Sequence, residues 1–328
     1  MQRAKTRIVR ALLIGLLALA LVSAGGPASG QTYPQRPVRM IVNVGPGGGV
    51  DSIARIIGQH YSALWGQPFV IDNRAGAGGS IGNETVAKAA PDGYTLLVSS
   101  VTVVTNAAIR PDSSDPSRDL QPVTRLVSSP YIVGVTPSLP VGSVKDLIAL
   151  TKSKPKGVTF GSSGGTGSIT HLAGELLSLM AGAPMLHVPY KGTGPAYTAV
   201  ASGEVDWAIG NPVSIMPLIK AGRIKAIAAT SAARIPAFPE IPTVAESGVP
   251  GYEVVGWYGL FAPAGTPPRI VASLQSEAKN RLYSPEILKR LEFEASDPVA
   301  NTPQQFTAEV KAEVQKWRDL VKRRGIKL

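Results

Sequence analysis

Beyond its first thirty residues the chain repeats one local pattern: a short apolar run rich in β-branched residues, a glycine-rich turn, then a helical stretch. Val38–Val44 leads into Gly47–Gly49 and a segment with Ile53, Ile57, Tyr61 and Leu64 on one face. Phe69–Ile71 leads into NRAGAGGS (73–80), Val158–Phe160 into GSSGGTGS (161–168), and His187–Tyr190 into KGTGP (191–195), each preceding a helical pattern. Glycine inside a regular element costs about 0.5–1 kcal/mol relative to alanine, so these runs mark backbone that must turn tightly or be closely approached. Short apolar runs alternating with helices predict an α/β fold with mixed, largely parallel sheets.

The pattern restarts at YIVGV (131–135) and ends near Gly251, after the proline-rich IPAFPEIPTVAESGVPGY. The remaining segment holds a strand-like run, VVGWYGLFAP, and two helical stretches, Arg269–Tyr283 and Pro303–Lys322. That is too little for a third core, so the tail is expected to return to the first domain. The expected organisation is residues 31–130 as the first part of lobe 1, 131–251 as lobe 2, and 252–328 as the return to lobe 1. Two strands would then cross between lobes, near 125–135 and 250–258.

Arg3, Lys5, Arg7 and Arg10 precede the apolar run ALLIGLLALALV (11–22) and a string of small residues. This is the pattern of a secretory signal peptide, residues 1–30, cleaved near 24–30. The run falls short of the roughly 20 apolar residues that span a bilayer. An exported, periplasmic protein is expected. The chain has no cysteine, which excludes a lipid-anchored cysteine, a thiol nucleophile and thiolate metal sites; its core must hold it together without disulfides. The formal charge is +11, and the four basic residues before position 30 leave +7 for the rest. Those charges are dispersed, with no aromatic–basic interleaving of the kind that stacks bases, so nucleic acid is not an expected partner.

In parallel α/β sheets, glycine turns lie at the carboxyl ends of strands, where ligands bind. Each adjoining helix presents unpaired N–H groups and partial positive charge. Turns of this kind on two lobes would make a pocket for an anion, although tight turning and close helix–sheet packing account equally for any one of them.

Gly161-Ser162-Ser163-Gly164-Gly165 matches G-x-S-x-G, the nucleophile elbow of α/β-hydrolases, between a strand and a helix as that motif requires. A periplasmic serine hydrolase using Gly161, Ser163 and Gly165 is the alternative reading. Its acid and histidine would have to come from Glu175 and from His171 or His187, because no histidine lies beyond position 187. That compresses a triad further than the fold allows. His171 and Glu175 are spaced for one helix face but have few further metal donors nearby, so no metal and no cofactor is expected. G-x-x-x-x-G-K-[ST] is absent, and GAGGSI (76–81) fails G-x-G-x-x-G at its last glycine.

Pro46-Gly47-Gly48-Gly49-Val50-Asp51, NRAGAGGSIG (73–82), PDGYTLL (91–97), the GSSGGTGS–HLAGEL run (161–176), HVPYKGTGPA (187–196), PTVAESGVPGYEV (242–254) and WYGLFAPAGTP (257–267) together resemble the Bug/TctC family. These are extracytoplasmic solute-binding receptors of tripartite tricarboxylate transporters, and the likeness covers nearly all of the chain beyond position 30. It implies a type II, Venus-flytrap periplasmic binding protein, monomeric, with two crossover strands. Such a protein closes on a small carboxylate and passes it to membrane permease subunits.

In this family a carboxylate is held largely by backbone groups and waters of one turn from each lobe. Carried over, those are Gly47, Gly48, Gly49 and Asp51, and Ser162, Ser163, Gly164, Gly165, Thr166, Gly167 and Ser168. Strand-end positions Ser99, Ser100, Thr102, Tyr190 and Asn211 complete the expected ligand-binding set, with Lys191 a further strand-end candidate. Asp51 is divided between capping a helix and touching the ligand, Arg74 between the cleft and a surface pair, Trp257 and Tyr258 between pocket wall and core. Many relatives place an aromatic residue shortly before P-G-G where this chain has Val44-Gly45, so the ligand's identity does not carry over.

Overall fold

The computed structural model describes residues 33–110, 112–154, 157–293 and 295–327. The expected signal peptide lies outside them. A first unit ends at Arg36, and the second, Pro37–Leu328, carries all the helices and strands among the described residues.

In the first sheet, β1 (Val38–Val42) pairs in parallel with β2 (Phe69–Asn73) and β3 (Thr95–Ser100). All but Arg39 of β1 are buried, as for a parallel strand covered by helices on both faces. The helices between and after these strands are α1 (Gly49–Trp65), α2 (Ser80–Ala87) and α3 (Thr102–Ile109). Three later strands complete the sheet. β4 (Leu120–Pro130) and β10 (Val255–Pro263) are antiparallel neighbours, β10 also pairs antiparallel with β3, and the short β11 (Asp297–Pro298) sits beyond β4.

The second sheet has the order β7-β6-β8-β5-β9, from β5 (Ile132–Val135), β6 (Val158–Ser162), β7 (Met185–Pro189), β8 (Trp207–Gly210) and β9 (Lys225–Ala229). β6 is parallel to β7 and β8, while β5 runs antiparallel to β8 and β9. Its helices are α4 (Val144–Ser153), α5 (Ile169–Met180), α6 (Thr193–Ser202) and α7 (Pro212–Lys220). Both sheets are therefore mixed. Parallel pairing holds where strand, glycine turn and helix alternate. The antiparallel pairs come from the connecting strands, which carry the chain in opposite directions and need no crossover helix to lie side by side.

The chain passes from the first sheet to the second through one residue, Tyr131, between β4 and β5. It returns through Val254, whose N–H donates to Thr230 O (2.9 Å), directly into β10. The tail contributes α8 (Pro268–Leu282), α9 (Pro285–Phe293) and α10 (Pro303–Arg324). Thr302 and Gln305 cap α10 reciprocally and Gly325 ends it in the left-handed conformation at φ +63°. One buried cluster takes in Ile41 and Leu97 of the first sheet, Val133 and Phe160 of the second, and Tyr252, Trp257 and Trp317. The Tyr252 hydroxyl donates to Ala173 O of α5 at 3.0 Å.

Candidate ligand-binding site

The chain leaves β1 at Asn43 and enters α1 at Gly49 through an exposed turn. Gly47 has φ +90°, a conformation that side chains rarely adopt, and a Cβ on Gly47 or Gly48 would meet nothing within 4 Å. Gly48 is the α1 N-cap and has no side-chain cap bond, so the open end of this helix is backbone alone. Gly49 is bare for another reason. A Cβ there would overlap the Tyr258 phenol and lie 2.9 Å from Cζ.

Asp51 does not sit at the N-cap. Its buried carboxylate accepts from Gly47 N (3.0 Å), Arg55 Nε and Nη2 (2.9 and 3.0 Å) and Asn73 Nδ2 (3.0 Å). The Arg55 guanidinium, with Gly47 and Asn73 and against the effect of burial, holds its pKa down at about 2 from the usual 3.8. Asp51 thus ties the glycine turn to α1 and β2. Arg74 pairs with Asp72 at 3.2 Å and is exposed.

Beneath the turn, Asn43 Nδ2 donates to Asn83 Oδ1 (3.0 Å) and Ser99 Oγ (2.8 Å), and all three residues are almost wholly buried. Gly79 and Gly82 make room for this asparagine: Cβ atoms there would lie 2.6 Å from Asn43 Nδ2 and 2.8 Å from its Cα. Gly79, the last glycine of the second run, and Gly82 of α2 therefore both serve packing, and Ser99 supports the site from inside. Asn43 escaped sequence reasoning because an asparagine at a strand end usually means a turn. Ser100 and Thr102 are partly exposed and share a 2.9 Å hydroxyl contact.

In the second sheet the turn after β6 is built around left-handed glycines, Gly165 (φ +70°) and Gly167 (φ +85°). Gly164 and Thr166 are exposed, and Ser163, Gly165 and Gly167 partly so. Ser168 is the N-cap of α5, accepting from His171 N (3.2 Å) and donating to Gly165 O (2.8 Å). Ser162 is fully buried, and its hydroxyl meets His187 Nε2 at 2.8 Å.

His171 Nδ1 accepts from Gly167 N (3.0 Å), which leaves its proton on Nε2, 3.8 Å from Glu175 Oε1. The two imidazoles stack with centroids 3.8 Å apart. Burial, reinforced by His187 and Arg324, lowers the His171 pKa to about 3, and burial lowers that of His187 to about 4. Both are neutral at pH 7, and neither the 44–49 nor the 162–168 turn contains Lys or Arg. An anion at either turn would be met by backbone dipoles and hydroxyls.

Other strand-end candidates are engaged elsewhere. Asn211 caps α7 by accepting from Ser214 N (2.9 Å). The Tyr190 hydroxyl donates to Glu204 (2.7 Å), and its pKa is pushed up to about 12 by burial and that carboxylate. Lys191 is exposed. Trp257 is core, its indole donating to Glu313 Oε1 at 3.0 Å.

Three tyrosines pack against glycines of the two sheets and their turns. Tyr258 of β10 rests on Gly49, and Tyr197 of α6 presses its hydroxyl on Gly210 at the end of β8. Tyr131, between β4 and β5, sets its hydroxyl against Gly256 of β10. Burial first, and then its neighbours Tyr258, Tyr197 and Glu313, raise the pKa of Tyr131.

The nucleophile-elbow geometry is not met. Ser163 Oγ contacts Thr170 Oγ1 (3.3 Å), and the serine that does meet a histidine, Ser162, is inside the protein. Among the described residues no group of three His, Cys, Asp or Glu is placed to hold a metal ion, and no helix is long and apolar enough to cross a membrane.

Two mixed sheets joined by a pair of crossing strands, with glycine turns at strand carboxyl ends, are the architecture of a periplasmic solute-binding protein. Residues 53–326 match the profile of the tripartite tricarboxylate transporter family receptor, TctC, and the chain belongs to that family. It is 36% identical to protein BugT of Bordetella pertussis over 321 residues, 96% of this chain and 98% of BugT. R. palustris Rpa4515, solved with adipate, superposes with a TM-score of 0.75 at 38% identity, covering 90% of this chain and 99% of that one. MatC (Rpa3494) from Rhodopseudomonas palustris, solved with bound malate, gives 0.72 at 32% identity, covering 88% and 100%.

Proposed function

We propose that the protein is a periplasmic receptor for a small organic acid, gripping one carboxylate between the Gly47–Gly48 turn and the Ser163–Gly167 turn. It gives the acid up unchanged, to the permease subunits of a tripartite tricarboxylate-type transporter or to a sensor. The observation that carries this reading is the pair of exposed, donor-rich and cation-free turns, Gly47–Gly48 before α1 and Ser163–Gly167 before α5, each following a strand of one of the two sheets. The adipate and malate held by two relatives support a carboxylate.

The energetics are sufficient. Each helix start contributes about 0.3–1 kcal/mol toward an anion, and each charge-assisted hydrogen bond about 1.5–3 kcal/mol. Several together exceed the roughly 8 kcal/mol of a micromolar complex, before ordering costs. Ser100 and Thr102 would meet hydroxyls or a second polar end of the ligand. Rotation of the sheets about Tyr131 and Val254 would close the site and expel water.

The test is thermal melting of the purified protein against malate, adipate, citrate and monocarboxylates, with phosphate and amines as controls. A ligand at about 100 times its Kd adds roughly 2.7 kcal/mol, and mass analysis of the released compound should find it unaltered. No shift with any carboxylate would overturn the proposal.

A further inference from the structure

The loop from β6 to α5 closes on itself at Gly165-Thr166-Gly167-Ser168. Ser168 N donates to Gly165 O (3.2 Å), and Gly167, the third residue, has φ +85°. Those are the marks of a type II turn. Types I and II differ by a reversal of the central peptide, here Thr166–Gly167, so its direction has to be fixed by something outside the turn.

His171 fixes it. The imidazole Nδ1 accepts from Gly167 N at 3.0 Å. The ring is 3% exposed and held in place, stacked on His187 (centroids 3.8 Å apart) and on Phe160 (6.3 Å, 14° between planes). Its Nε2 faces Glu175, which Arg324 holds from α10. On the other side of Thr166, Gly165 O accepts from Ser162 Oγ (3.2 Å) and Ser168 Oγ (2.8 Å).

In a planar trans peptide the C=O and N–H point in opposite directions. Gly165 O and Gly167 N–H are both drawn inward, so the N–H and the C=O of Thr166 both point outward. Thr166 is exposed, and neither group has a partner among the described residues. Ser163 N, by contrast, is engaged by Thr170 Oγ1 (3.1 Å). The outer face of the turn therefore sets an acceptor beside a donor. The donor suits a carboxylate oxygen, whereas the carbonyl repels one and calls for a ligand O–H or N–H.

We infer that His171, by fixing the Thr166–Gly167 peptide, makes this turn selective for 2-hydroxy acids: the carboxylate accepts from Thr166 N–H and the 2-hydroxyl donates to Thr166 C=O. The two groups belong to one residue, so the ligand's donor has to sit on the carbon next to its carboxylate. A hydroxyl fits better than an ammonium, because the acid of the facing turn, Asp51, is buried and paired with Arg55. His171 is a positioning residue and does not touch the ligand. The inference rests on the proposal that this turn grips a carboxylate.

The test is calorimetric titration at pH 7 with two pairs of acids that differ by a 2-hydroxyl, malate with succinate and mandelate with phenylacetate, and with 2-methoxysuccinate and aspartate alongside. The hydroxy acid of a pair that binds should bind about fivefold more tightly, the worth of one net hydrogen bond of about 1 kcal/mol. 2-Methoxysuccinate keeps the oxygen but not its proton, and should show no advantage over succinate. His171→Leu frees the peptide to reverse and should bring the ratio within the pair near one; His171→Asn, whose Oδ1 can accept from Gly167 N, should restore it. Equal binding within a pair by the parent protein, tighter binding of aspartate than malate, or a preference that survives in His171→Leu would each overturn the inference and leave the carboxylate receptor standing. If none of these acids binds, the inference falls, and the receptor reading is then judged by the wider melting panel.

Discussion

Replacing Asp51 by asparagine tests whether the first glycine turn is held by charge. The Asp51 carboxylate is only 4% exposed and takes four hydrogen bonds, two of them from Arg55. A folded-state pKa of about 2 against 3.8 corresponds to about 2.5 kcal/mol at neutral pH, since each unit is worth roughly 1.4 kcal/mol. Arg55 is 49% exposed, so solvent screening trims this toward about 1.5 kcal/mol.

The folded pKa is depressed, so the contribution is complete above the unfolded value and is lost as pH falls through the folded one. Asp51→Asn should therefore lose about 1.5–2 kcal/mol at pH 7, or roughly 3–4 °C of melting temperature for a chain this long. Urea unfolding of both proteins at pH 7, 5 and 3 is the assay. The gap should be equal at the first two and reduced by about half at pH 3. Equal stabilities at pH 7, or a gap unchanged at pH 3, would refute the clamp.

Three further outcomes are expected. The folded protein resists protonation of His171 and His187, while their unfolded counterparts titrate near 6.5; stability should therefore fall as pH drops from about 6.5 toward 4, and fall less in His171→Gln, as urea midpoints at pH 7 and 5 would record. Arg324→Ala strands the buried Glu175 carboxylate, which the Arg324 Nε meets at 2.5 Å, and should cost about 2 kcal/mol; a loss below about 0.5 kcal/mol, typical of inert surface changes, would deny the pair any role. Ser163→Ala should leave ester hydrolysis at the uncatalysed background shown by the parent protein, and any serine-dependent turnover would revive the hydrolase reading.

Much of the fold was legible in the chain because it rests on local pattern. Alternating apolar runs, glycine turns and helical faces announced the α/β class, and the turns fall at strand ends where that grammar puts them. The expectation of largely parallel sheets held for β2-β1-β3 and β7-β6-β8. It could not extend to β4, β5 and β10, because strand direction depends on where the chain re-enters a sheet, which no local run encodes.

The candidate site divides along the same line. Gly47–Gly49 read as three equivalent bare residues, yet Gly47 and Gly48 face open space while Gly49 receives a phenol from 209 positions away. Ser99, Ser162, Ser168 and Asn211 looked like ligand hydroxyls and amides. In the folded chain their side chains meet Asn43, His187, Gly165 and Ser214 respectively. Residue type and spacing were enough for the family, the layer architecture and the chemistry of two donor-rich, cation-free turns. Which atoms remain exposed to a ligand, and which are spent on partners such as Asp51 on Arg55 or Tyr258 on Gly49, is decided by packing between distant segments. Those pairings form when the strands converge, and nothing in either segment alone specifies them.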